Sequence, residues 1–139
     1  MNAPAAVRAA CMPGIDEFES LEFDAEAFDH QAHVYVGWQL VRRYDPTTAA
    51  LRFTETLKRL VRQLGADGKY NETVSWFFML LIAERQALQQ HDSWPDFRRD
   101  NPDLVGHAGE LLSRHYDPER LWSPLARRQF LLPDYGMVG

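Results

Sequence analysis

The sequence predicts an all-α protein, a single-domain bundle of about four main helices finished by short helical turns at the C-terminus. Three observations carry this. An apolar run from Trp76 to Ala83 sits inside Asn71 to Gln90, a stretch without glycine or proline. Capping residues stand directly before prolines at Asp45-Pro46, Asn101-Pro102, Asp117-Pro118 and Ser123-Pro124, the pattern of a helix start. No segment alternates apolar and polar residues for long enough to make a half-buried strand.

The 139 residues are one domain's worth, enough to bury a core without metal or disulfide staples. The net charge of −5 and the scatter of the basic residues argue against a nucleic-acid partner, since phosphate contacts need clustered Lys and Arg. Arg127-Arg128 is the densest basic group. The single cysteine, Cys11, leaves no internal disulfide and no cysteine-based zinc site, which fits a reducing cytoplasm. We expect no membrane partner. The N-terminal MNAPAAVRAACMPG lacks the apolar segment of a signal peptide. The eight apolar residues of the central run fall far below the roughly 20 that cross a bilayer.

Residues 1–15 read as a loose Ala-rich tail, with Cys11 incidental, and residues 16–139 as the helical domain. Asp16 to Asp24 interleaves acids with Phe18, Leu21 and Phe23, either as a short helix or as an extended lead-in that pins its aromatics to the bundle. The first long helix is predicted from Asp24 or Ala25 to about Tyr44. Asp24 is its cap, Glu26 sits in the first turn, and Arg42 and Arg43 sit in the last, as the helix dipole prefers. Gly37 within it costs about 1 kcal/mol relative to Ala and would let a neighbouring helix approach closely. The second helix runs from Pro46 to about Leu64. Ala50, Phe53, Leu57, Leu60, Val61 and Leu64 form its inner face, and Arg52, Glu55, Lys58, Arg59 and Arg62 its outer one. Gly65-Ala66-Asp67-Gly68 turns the chain into an antiparallel neighbour, the central helix from Asn71 to Gln90. Apolar around its circumference over Trp76–Ala83, this helix belongs in the core. A short piece over Pro95–Arg99 follows, then a helix from Pro102 through DLVGHAGELLSRHY. Leu104, His107 or Ala108, Leu111 and Leu112 make its inner stripe. The last turns wrap the bundle, and Phe130–Pro133 docks.

His30 and His33 share a helix face, and Glu72 opens the central helix. Up-down-up topology makes the first and central helices parallel and brings these three residues to one mouth. Two His and one carboxylate are a recurrent open metal site, so His30, His33 and Glu72 are expected to hold zinc or iron(II). Glu72 is also the candidate general base, and the Tyr70 hydroxyl a donor or weak acid. Asn71, Thr73 and Trp76 would bind substrate. His107 is a further candidate ligand, while His91, His115 and Lys69 carry no such expectation. Each feature also has a plain structural account. Asn71 as N-cap and Glu72 in the first turn satisfy the helix start, and a surface His pair needs no role. The HxxH pair lacks HExxH spacing, and no phosphate loop, nucleophile elbow or Cys–His pair occurs.

Three stretches carry a resemblance: FDHQAHVYVGWQLV at Phe28–Val41, GKYNETVSWFFMLL at Gly68–Leu81 and YDPERLWSPLARRQFLLPD at Tyr116–Asp134. In this order they resemble the FxHxxHxxxAW, GKYHET(I/V)TW and YSPxxLxSPxARxxFxxPD patterns of a family of small bacterial helical proteins without a characterised activity. The resemblance covers about residues 18–135. It singles out His30, His33, Tyr70, Glu72 and Thr73 as patterned polar positions. The family's usual His is Asn71 here, which weakens the expectation of a metal and strengthens that of a polar small-molecule pocket.

The leading expectation is therefore a small metal-dependent enzyme acting on a small polar substrate at the bundle mouth. The alternative is a non-enzymatic module that binds a small molecule or a protein. A third reading is a helical homodimer whose histidines cap and pack.

Overall fold

The computed structural model describes residues 12–135. Cys11, the rest of the expected tail over residues 1–11, and residues 136–139 lie outside the described residues. Nine α-helices and no strand occur among the described residues: α1 (Ile15–Glu19), α2 (His30–Arg43), α3 (Pro46–Gln63), α4 (Glu72–Gln89), α5 (Trp94–Asp100), α6 (Pro102–Gly106), α7 (Ala108–Ser113), α8 (Pro118–Leu121) and α9 (Pro124–Arg128). Single 3₁₀ turns cover Ala25–Ala27 and Asp67–Lys69. The all-α bundle holds, with α2 to α5 as its four main helices.

The prolines and capping residues set the punctuation. Asp45, Ser93, Asp117 and Ser123 each accept a hydrogen bond from a first-turn amide and are each followed, within two residues, by a proline. Gln90 ends α4 in the left-handed conformation, with φ 52°.

α2, α3 and α4 pack mutually. α2 and α4 run parallel, because their contacts advance together. His30 meets Phe78, Gly37 approaches Met79 and Ile82, and Trp38 donates to Gln86 Oε1 at 2.9 Å. At Gly37 an added Cβ would come within 2.9 Å of both Ile82 Cδ1 and Met79 Sδ. The close helix approach expected there is present.

The first long helix starts later than expected. Asp24 caps only the 3₁₀ turn, and Phe28 leaves helical backbone with ψ 80°. Asp29 then caps α2 by accepting from Ala32 N at 2.9 Å. Two caps five residues apart compete, and burial decides between them. Phe28 turns into a cluster with Phe18 and Phe23, which a continuous helix would not permit. Phe28 also stacks on His33 at 4.3 Å between centroids, a staple between the positions flanking the helix start.

Three further boundaries differ. Met12 and Pro13 belong to the fold, with Pro13 buried and its carbonyl accepting from Gln39 Nε2 at 3.1 Å. The helix expected after Pro102 is two, broken at His107 between Gly106 and Gly109. His107 is exposed and does not point inward. Leu64, expected inside, is the exposed C-cap of α3, and Leu80 of the apolar run is also exposed.

Candidate functional site

A cavity of about 350 Å³ lies between α2, α3 and α4. Parallel packing of α2 and α4 places its upper end at their N-termini, where His30, His33, Tyr70 and Asn71 line it. α3, running the other way, supplies Phe53, Leu57 and Val61. Val34, Val74, Phe78, Met79 and Ile82 complete the apolar walls, with Ser75 as a further polar group. Met79 and Ile82 are buried, whereas Lys69 and Trp122 are exposed and mark the opening. The volume falls at the lower end of small-molecule sites, and the mix of apolar walls with a few polar groups is typical of them.

His33 Nδ1 lies 2.7 Å from the carbonyl oxygen of Asp29. A carbonyl only accepts, so Nδ1 carries the proton. Burial pushes the His33 pKa below its ordinary 6.5, and neighbouring His30 adds to that. The Asp29 carbonyl and carboxylate oppose it. The ring is therefore neutral at pH 7, with a lone pair at Nε2. His30 donates from Nε2 to Leu104 O at 2.9 Å, which leaves its Nδ1 as an acceptor.

Glu72 is the expected ligand that the fold turns elsewhere. Its Oε1 accepts from the Tyr70 hydroxyl at 2.5 Å and lies 3.4 Å from Lys58 Nζ. It lines a separate, shallower depression with Lys58, Arg62 and Arg127. Asn71 Oδ1 accepts from Val74 N at 3.0 Å, and Nδ2 donates to Leu121 O at 2.8 Å. The Thr73 hydroxyl is fully buried. It lies 2.8 Å from the carbonyls of Ala126 and Gln129, and accepts from Leu131 N at 3.1 Å. Trp76 is half-buried and does not line the cavity.

The expected metal triad is thus divided. His30 and His33 face the cavity, and the Glu72 carboxylate is held by a phenol and an ammonium outside it. Among the described residues no group of three or more His, Cys, Asp or Glu side chains could hold a metal ion. Two imidazoles without the carboxylate do not fit the three-ligand zinc or iron(II) site. The physical reason is local. Tyr70 and Lys58 satisfy Glu72 at the α4 N-terminus on the α3 side, away from the histidines.

Sequence reading missed Trp122, Ser75 and the apolar walls. Phe53, Leu57, Met79 and Ile82 read as core because cavity walls and core share one pattern. Trp122 comes from the distant C-terminal wrap, and only its half-exposure distinguishes it. Also missed was the ionic tie of α4 to α6. Arg85 grips Asp103 bidentately at 3.1 and 2.8 Å and donates to buried Asn101 at 2.8 Å.

No protein-family model, curated protein or solved structure matches the chain. Among the described residues no helix is long and apolar enough to cross a membrane.

Proposed function

We propose that the protein binds a small, largely apolar molecule in the cavity between α2, α3 and α4, as a binding module rather than a metal enzyme. The cavity itself carries this reading. Nine of its fifteen lining residues are apolar: Val34, Phe53, Leu57, Val61, Val74, Phe78, Met79, Ile82 and Trp122. All but Trp122 stand on three mutually packed helices, so most of the shape is formed in advance and little ordering entropy opposes binding. The small polar substrate expected from the YNET cluster has less support, because Tyr70, Asn71, Glu72 and Thr73 already bond to protein groups.

Nile red, a neutral apolar dye, is the test. It should bind saturably at about one equivalent. Val74→Trp, which drives an indole into the cavity from α4, should abolish binding while far-ultraviolet circular dichroism stays unchanged. Absence of saturable binding to the wild type, or unaltered binding to Val74→Trp, would overturn the reading.

A further inference from the structure

We infer that the molecule taken by this cavity ends in a hydroxyl donor, a phenol or an alcohol, which pairs with the bare ring nitrogen of His33, beside that of His30. This rests on the binding reading above and adds the ligand's chemical class. The polar groups around the cavity divide by what they have left to offer. Tyr70 has its only hydroxyl hydrogen committed to Glu72. Asn71 has bonded both ends of its amide. His33 Nδ1–H points at Asp29 O and His30 Nε2–H at Leu104 O, at 2.7 and 2.9 Å. In its neutral form each imidazole therefore keeps one acceptor. Neither His33 Nε2 nor His30 Nδ1 has a hydrogen-bond partner among the described residues, and neither is sealed from solvent-sized contact. Both side chains line the cavity. Ser75 can donate or accept, and Lys69, the one formal cation in the lining, stands exposed at the opening.

Acceptors of this kind select their partner. A hydroxyl brings one proton, which pairs one of the two nitrogens. An ether of the same shape brings only another acceptor. A carboxylate would lose its hydration opposite two lone pairs, with Lys69 at the rim as its only cation. Unpaired buried polar groups cost about 1–3 kcal/mol, which corresponds to about 5- to 150-fold in affinity.

Three probes of one shape separate these cases: 2-naphthol, 2-methoxynaphthalene and 2-naphthoate, titrated calorimetrically into the full chain at neutral pH. We expect 2-naphthol to bind about 10-fold more tightly than the other two. In His33→Phe the advantage over the ether should largely vanish. A readout without substitution is the nitrogen NMR shift of His33 Nε2 in the wild type, which should move on adding 2-naphthol and not on adding the ether. Equal binding of naphthol and ether, or no shift at Nε2, overturns the donor inference and leaves the binding reading standing if Nile red still saturates. Tightest binding by 2-naphthoate, abolished by Lys69→Ala, overturns it in favour of an anion held at the rim. If none of the three binds while Nile red does, the inference also falls. If Nile red fails as well, the binding reading falls with it.

Discussion

The Tyr70 hydroxyl donates to Glu72 Oε1 at 2.5 Å, across a single intervening residue. The pair sits half-buried at the start of α4, with Lys58 3.4 Å from the same oxygen. It fixes the direction of Glu72, and so decides which residues can meet in the cavity.

Burial and the Glu72 contact both hold the Tyr70 phenol protonated well above its ordinary pKa of 10. The raised folded pKa means that this stabilisation is fully present below about pH 10. It is lost as pH rises, because the unfolded chain ionises first. Tyr70→Phe should cost about 1–2 kcal/mol at neutral pH, the lower part of the range for a hydrogen bond to a charged group, because the pair is only half-buried. It should also flatten part of the alkaline stability loss. Tyr116, pushed up to about 12, supplies a share that remains. Denaturant midpoints across the alkaline range check both effects, and an unchanged alkaline limb in the variant would refute the first.

His33 behaves in the opposite sense. Its folded pKa is depressed below 6.5, so its contribution is complete above that pH. As pH falls below 6.5 the unfolded chain takes up a proton that the folded ring resists, and stability declines. His33→Phe should reduce this acid-side slope. Imidazole proton shifts in an NMR titration should show His33 titrating below 6.5. A His33 midpoint at or above 6.5 would contradict the geometry.

Thr73 ties the C-terminal wrap to α4 through Ala126, Gln129 and Leu131. Thr73→Val keeps the shape and removes the hydroxyl, leaving buried backbone groups unpaired at about 1–3 kcal/mol. The loss should be local. Amide hydrogen exchange should rise over residues 121–131 more than in α2 and α3. Uniform acceleration throughout the chain would show that Thr73 supports the whole fold instead.

Helix existence was legible where local chemistry alone decides it. Asp45-Pro46, Asp117-Pro118 and Ser123-Pro124 start helices whatever their surroundings, and each does so. The antiparallel turn and the parallel α2/α4 pair followed from short connections. Boundaries failed where two local signals competed and packing chose between them. Asp24 and Asp29 are both good caps, and burial of Phe28 selected Asp29. His107 failed for a related reason, since two nearby glycines weaken the helix that would have turned it inward. That His30, His33, Tyr70 and Asn71 come together at one cavity was legible, because parallel helices bring their starting ends together. The direction of Glu72 was not legible. It depends on Lys58, fourteen positions away on another helix, and no periodicity records that contact.

The position of Trp122 bears on how the molecule assembles. α2, α3 and α4 are consecutive and joined by short links, so their mutual contacts close small loops and form early. The segment carrying Trp122 is anchored by Asn71 to Leu121 O, a contact spanning fifty residues. During synthesis the three cavity-bearing helices are complete well before Trp122 leaves the ribosome. A chain halted there lacks Trp122, so the apolar walls of the cavity stand without the side chain that borders its opening.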